Sequence, residues 1–315
     1  MGIKVTVIGA GSVGSTIAFM MAVKGIASEI VLIDVNTKKA MGEALDIRQG
    51  TPLCAPVSVY AGSYVDANNS DVVVITSGVA RKPGQSRLEL TQTNTDIIKN
   101  IAPKITAHAP NATYILVSNP VDIMTYVFHK ITDIPENRII GTGTLLDSAR
   151  LCSRLAENLN VSQLDVNAYA LGEHGDSMFI PWSVAQVSNI PLAEYKDKLR
   201  FRYIELPELN YDDIEAYIRS SGSKIISRKG ATYYAIAIAV CHIIECLMSS
   251  VNTVMAVSTM LHGEYGIDDV CLSIPTYIGP GGVKGRVMPD FTEEEVKKLQ
   301  NSAEVLKSVI ANINF

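Results

Sequence analysis

The feature that most constrains this chain is Gly9-Ala-Gly11-Ser-Val-Gly14, set between a short apolar run and a helical pattern. The run before it, IKVTVIG, reads as a buried strand, and Ser12–Lys24 after it reads as a helix. A strand that turns straight into a helix needs glycine three times here. Gly9 allows the tight turn, Gly11 lets backbone approach a pyrophosphate, and Gly14 lets helix pack closely on strand. Ser12 and Val13 lie in the same loop and are read with it as cofactor-binding. The diphosphate then sits on a helix N-terminus, where free N–H groups and the dipole favour an anion.

Taken alone, such a glycine motif is weak. Its context strengthens it, because Asp34 closes the second strand, IVLID, 20 residues past Gly14. A carboxylate there accepts hydrogen bonds from a ribose diol and repels a 2′-phosphate, which favours NAD over NADP.

Further strands are expected at Val72–Thr76, Thr113–Ser118 and Arg138–Gly141, with helices at Thr37–Gln49 and Thr91–Ala109 between the runs. The strands are almost continuously Val, Ile and Leu, as in a parallel sheet covered on both faces. Alternation of this kind predicts a Rossmann-type, doubly wound α/β unit. Beyond it the pattern changes. A helical stretch at Gly141–Asn160 leads to a strand-like Val166–Ala170 and a Gly-rich turn at Gly172–Gly175. Helical patterns follow at Tyr211–Ser227 and Thr232–Ser249, then short β-like pieces, then a charged helix at Thr292–Asn312. The expected division is a dinucleotide-binding domain over 1–142 and a mixed α+β catalytic domain over 143–315.

Composition narrows the partners. A net charge of −5, from 27 Lys+Arg against 32 Asp+Glu, gives no electrostatic footprint for nucleic acid or an anionic membrane. The longest apolar run, near Ala231–Met248, contains His242 and Glu245 and falls short of a spanning segment of about 20 residues. Five scattered cysteines do not make a disulfide framework, and CHIIEC (241–246) lacks the second ligand pair of a zinc site. Both cysteines of that segment read as buried thiols, no metal is expected, and a reducing, cytoplasmic setting follows.

Four polar clusters stand out after the glycine turn: RKPGQSR (81–87), Ser118-Asn119-Pro120, DSAR (147–150) and EHGD (173–176). Reducing a 2-keto acid by hydride transfer needs a proton donor at the carbonyl oxygen and a cation for the carboxylate. His174 is the natural donor, since imidazole titrates near neutral pH and the flanking glycines can expose it. Asp147 is the candidate carboxylate partner. It shares a helical face with Arg150 at i,i+3, so one can orient the histidine while the other offers a planar fork to the substrate. Singly, the same two residues would pass for a plain helix ion pair.

In chain order, GAGSVG, ARKPGQSR, SNPVD, LDSAR, GEHGDS and KGATYY resemble the lactate/malate dehydrogenase family across essentially the whole length. The resemblance implies that His174 gives and takes the proton, with Asp147 orienting it and Arg150 binding the substrate carboxylate. It also implies that Arg87, on a closing loop, polarises the carbonyl. Asn119 would contact substrate and nicotinamide, and Thr232 would line the pocket. An L-2-hydroxy acid, NAD and a homo-oligomer, usually a tetramer or dimer, are implied as well.

Within the family the branches disagree about this chain. GTGTLLDSAR, GEHGDS and KGATYY resemble the L-lactate branch. Arg81, however, stands where lactate dehydrogenases generally carry Gln and malate dehydrogenases carry Arg. A second substrate carboxylate, once desolvated, needs a fixed cation. Gln85 replaces an acid usual in the lactate branch, which makes the loop more positive still. Arg81 is therefore expected to admit oxaloacetate, unless its side chain turns to solvent. The allosteric bacterial lactate dehydrogenases hold fructose 1,6-bisphosphate with cations at places occupied here by Cys152 and Asn167, so no such activation is expected. Tyr126 and Lys130 have the Tyr-x-x-x-Lys spacing of short-chain dehydrogenases, but the glycine pattern does not suit that class.

Overall fold

A computed structural model describes residues 2–80, 84, 86–200 and 205–315, apart from the side chain of Arg87. The first half is built on strands β1 (Lys4–Ile8), β2 (Glu29–Ile33), β3 (Ser58–Ala61), β4 (Val72–Ile75), β5 (Thr113–Leu116) and β6 (Ile139–Gly141). They pair in parallel in the order 3-2-1-4-5-6, the doubly wound order with its switch point between β1 and β4. Helices α1 (Ser12–Lys24), α2 (Thr37–Gly50), α3 (Arg87–His108) and α4 (Val121–Ile131) connect them.

Both faces of this sheet are covered, which is why its strands do not alternate apolar with polar. Val5, Val7, Ile30, Leu32 and Val74 point to one side, against Ile17 and Met21 of α1. Ile8, Val31, Ile33, Val73 and Ile75 point to the other, against Ile98 and Ile105 of α3 and Phe128 of α4. Strand β3 carries no comparable signal. It lies at the sheet edge and only Val59 is fully buried, so SVYA has little hydrophobic pattern to read.

α3 begins four residues before the expected Thr91. Ser86 Oγ accepts from Glu89 N (3.1 Å), and the Glu89 carboxylate accepts from Ser86 N (2.8 Å). This capping box starts the helix earlier than its apolar periodicity does.

The second half contributes α5 (Leu145–Leu159), short strands β7 (Val166–Asn167), β8 (Gln186–Val187) and β9 (Ile190–Pro191), and α6 (Leu192–Lys198). Then follow α7 (Tyr211–Lys229), α8 (Tyr234–Met248), β10 (Thr253–His262), β11 (Asp268–Gly279), β12 (Gly282–Arg286) and α9 (Glu293–Ile310). β10, β11 and β12 form an antiparallel meander that extends the large sheet, where Ser258 of β10 meets Gly141 of β6. The β-like pieces expected near 270–282 are thus one strand of 12 residues plus a turn. α8 packs back over the first half, with Val240, Cys241, Ile244 and Cys246 buried in the same core as α1. No helix among the described residues is long and apolar enough to cross a membrane.

Candidate active site

At the end of β1 the chain turns at Gly9, whose φ of 105° suits glycine, and Gly9 N donates to Ile33 O at 2.7 Å. A Cβ on Gly14 would lie 1.8 Å from Gly9 O, so the helix can approach the turn only as glycine. A Cβ on Gly11 would meet nothing within 4 Å, because that space opens outward above the turn. Gly11 caps α1 without a side-chain hydrogen bond, and Ser12 and Val13 are the first two helical residues. Free N–H groups therefore face the open space.

Asp34 closes β2 as expected. Its Oδ2 accepts from Ala10 N (2.7 Å) and its Oδ1 from Asn36 N (2.8 Å), which fixes the carboxylate at the edge of the turn. Lone pairs remain for a ribose diol. Gly9, Gly11 and Asp34 line a cleft of about 790 Å³ that continues between Tyr64, Ile97 and Ile101. An anion cradle, a fixed acid and an apolar slot fit a dinucleotide.

A second cavity, of about 320 Å³, lies beside it. Val13, Asn119, Asp147, Arg150, His174 and Thr232 all line it, although the chain separates them by up to 219 residues (232 − 13). They are brought there by helix starts and by the loops that follow strands. Asn119 follows β5, and its peptide bond to Pro120 is cis. Asn94 of α3 holds that segment, its Nδ2 donating to Asn119 O at 2.7 Å and its Oδ1 accepting from Val79 N at 2.9 Å. Thr232 lies between α7 and α8, after a chain reversal at Gly230 (φ 85°).

His174 sits on the turn after Gly172, which is tied to Ser273 of β11 by paired backbone hydrogen bonds (3.0 and 3.2 Å). Glu173 N donates to Ser302 Oγ of α9 at 2.7 Å. His174 N donates to Asp122 Oδ2 of α4, also at 2.7 Å. Three separate elements thus hold the loop, and the imidazole keeps 28% of its side-chain exposure, toward the cavity.

Asp147, on the first turn of α5, divides its carboxylate between two partners. His174 Nδ1 donates to Oδ2 at 2.6 Å, and Arg150 donates to Oδ1 at 2.8 Å. Burial works against charge on Asp147, but the His174 and Arg150 charges outweigh it and hold the carboxyl below its ordinary range. His174 shows the converse. Burial lowers its pKa, yet Asp147 first and Asp122 after it raise it above the usual imidazole value. With Nδ1 given to Asp147, Nε2 is the nitrogen left to exchange a proton with a substrate.

Asp122 and Asn94 were not singled out from the sequence. Asn94 had no signal. For Asp122 there was one: it is the single acid in VDIMTYVF, an otherwise apolar start to a helix. Arg81, Gln85 and the Arg87 side chain lie outside the described residues. Neither Tyr126 nor Lys130 lines the cavity. Both bind Asp269, at 3.3 and 2.7 Å, and tie α4 to β11. Cys246 Sγ lies 3.9 Å from His242 Nε2 within α8.

A dinucleotide cleft opening onto a cavity that holds a histidine–carboxylate pair and a guanidinium defines a pyridine-nucleotide-dependent dehydrogenase. Comparison with known proteins agrees. Residues 3–141 match the family model for the lactate/malate dehydrogenase NAD binding domain, and residues 144–314 match its alpha/beta C-terminal domain. The chain is 42% identical over 312 residues to an L-lactate dehydrogenase of Acetivibrio thermocellus, covering 99% of this chain and 98% of that one. It is also 42% identical over 318 residues to an L-lactate dehydrogenase of Thermoanaerobacterium saccharolyticum, covering 99% of each. A crystal structure of a lactate dehydrogenase from a Medee basin deep-sea metagenome library superposes with a TM-score of 0.94, at 35% identity and full coverage of both chains. The minor L-lactate dehydrogenase of Enterococcus mundtii also gives 0.94, at 36% identity and 99% coverage of each.

The chain belongs to the lactate/malate dehydrogenase family. It is an NAD-dependent oxidoreductase that acts on the CH–OH group of a small 2-hydroxy acid.

Proposed function

We propose that this enzyme interconverts an L-2-hydroxy acid and its 2-keto acid through His174, on a lactate-dehydrogenase frame whose loop admits oxaloacetate. The observation that carries the proton chemistry is the Arg150–Asp147–His174 chain of contacts at 2.8 and 2.6 Å, opening on one cavity with Asn119 and Thr232. NADH, when bound, supplies the hydride. Arg150 pairs with the substrate carboxylate through the guanidinium edge not used by Asp147. His174 Nε2–H donates its proton to the ketone oxygen as the carbonyl is reduced, and Asp147 stabilises the proton-bearing ring before transfer. In the oxidative direction His174 takes that proton back. By its place in the family motif, Arg87 polarises the carbonyl, while Asn119 contacts substrate and nicotinamide and Thr232 lines the pocket.

Residues 1–142 serve as the NAD-binding domain in this reading, with Gly9, Gly11, Ser12, Val13, Gly14 and Asp34 on the cofactor. Residues 143–315 form the catalytic domain. The five cysteines are free thiols, which suits a cytoplasmic enzyme. Phe19 and Val23 of α1, Met41 and Leu45 of α2, and Tyr234 and Ile238 of α8 are exposed apolar side chains on packed helices. They support a homo-oligomer, read here as a tetramer, and sedimentation of the purified enzyme at micromolar concentration tests it.

The preference for oxaloacetate rests on Arg81 and Gln85. A buried cation without a partner is costly, so the methyl group of pyruvate is the poorer occupant. The curated relatives favour the alternative, since those compared above are L-lactate dehydrogenases. NADH oxidation with pyruvate and with oxaloacetate, in wild type and Arg81→Gln, separates the two. Preference for oxaloacetate that reverses in the variant supports the reading. Preference for pyruvate in wild type removes Arg81 from substrate selection.

A further inference from the structure

Asp122 is almost fully buried at the start of α4. Its Oδ2 accepts the His174 backbone N–H at 2.7 Å. The Ser258 hydroxyl of β10 lies close enough to ease the charge. Even so, neither Ser258 Oγ nor Asp122 Oδ1 reaches a well-formed hydrogen bond among the described residues. A neutral amide could accept the same N–H, so hydrogen bonding alone does not require an acid here. Burying a carboxylate is expensive, and half of this one is left without a full partner.

We propose that Asp122 is a positioning residue for the reaction: its carboxylate fixes the His174 backbone, and its negative charge biases the imidazole toward holding a proton. The inference rests on His174 being the proton donor assigned above. Asp147 would then be one of two acids acting on the same ring, one through Nδ1 and the other through the field across the loop.

Other groups face this pair. Asp147 reaches the imidazole from α5 with Arg150 on its other oxygen, while Glu173 and Asp176 flank it in its own loop. Arg219 of α7 lines the cavity but is engaged by Glu215 and by Met178 O. Cys271 of β11 lies near Asp122. Burial, and Asp122 after it, push its thiol pKa well up, so it adds no charge near neutral pH. Glu173 opposes ionisation of Asp122, and His174 favours it. Asp122 and His174 thus each favour the other's charged form.

The test is the pH dependence of kcat/KM for 2-keto acid reduction at saturating NADH. Asp122→Asn keeps an acceptor for His174 N–H and removes the charge. Its basic limb is expected to move down by about one pH unit, with KM for the keto acid little changed. The acidic limb of hydroxy acid oxidation is expected to move in the same direction. Asp122→Ser, smaller and also neutral, repeats the measurement if the amide does not fold. Ser302→Ala is the control, since it removes the Glu173 N–H partner from the same loop without changing charge. Its limb is expected to stay at the wild-type position. An unmoved limb in the Asp122 variants overturns the proposal, and so does an equal displacement in Ser302→Ala. His174→Asn separates this from the underlying reading. If it keeps wild-type turnover and pH profile, the assignment of His174 itself fails. If it is inactive while the Asp122 variants keep the wild-type limb, only the role of Asp122 fails.

Discussion

His174 Nδ1 and Asp147 Oδ2 lie 2.6 Å apart across 27 residues of chain, and each moves the other's pKa in its own favour. Burial disfavours both charges, yet the acid is held low and the imidazole high. The pair therefore favours both charges at once, as the proton role proposed for His174 requires.

Asp147→Asn is expected to lower kcat for keto acid reduction by about 10²–10³-fold, in line with the usual worth of a positioned acid–base group. The amide cannot stabilise an imidazolium as a carboxylate does. Loss of the Asp147 charge lowers the His174 pKa, so the basic limb of the pH–rate profile should also move to lower pH. Stopped-flow measurement of NADH consumption across pH checks both. Turnover within a factor of about two of wild type would remove Asp147 from the mechanism.

Two glycines of the first turn are expected to fail in different ways. In Gly14→Ala the new Cβ meets Gly9 O at 1.8 Å, so the turn must shift and both Tm and NADH affinity should fall. In Gly11→Ala the Cβ meets nothing of the protein and φ is −76°, so Tm should hold. NADH affinity should still fall, because the Cβ occupies the space into which the diphosphate would come. Thermal unfolding and NADH fluorescence titration distinguish the two, and equal losses of Tm would contradict the account.

Asp122 should carry a stability cost that depends on pH. Burial, the largest influence, pushes its pKa up to about 6, above an unfolded value of about 4. A raised carboxyl contributes its full stability below the unfolded pKa and loses it as pH rises through the folded one. Asp122→Asn cannot ionise, so its Tm should gain on wild type between about pH 4 and pH 7 and hold that gain above it. A constant difference in Tm across that range would show that ionisation of Asp122 is not the cause.

Fructose 1,6-bisphosphate is expected to leave the half-saturation for substrate unchanged. Cys152, half-buried against the core of the second half, has its Sγ 3.5 Å from Ala168 O, and Asn167 lies in β7. Neither supplies a cation for a phosphate. Saturation curves with and without the effector decide it, and a clear fall in half-saturation would refute the expectation.

The parts of this enzyme legible in one dimension are those whose physics is local. The glycine turn, the acid 20 residues beyond it and the apolar strands all act through neighbours within one strand–helix unit. Asp147 and Arg150 share a helical face by periodicity alone. α3 starts at Arg87 because the Ser86–Glu89 capping box, which is also local, sets its N-terminus ahead of its apolar period. β3 and β10 carry no such local signal. The first is an edge strand with a weak pattern, and the second owes its place to pairing with β11 and β6.

The sequence by itself determined the class of fold, the glycine turn and the residue types proposed for the acid–base chemistry. Only tertiary structure decided that α4, α5 and the His174 loop meet. That meeting puts two carboxylates on one histidine, from 52 and 27 residues away. The reason is desolvation: a buried acid differs from a surface one only through what surrounds it, and those surroundings are assembled by the packing of distant elements.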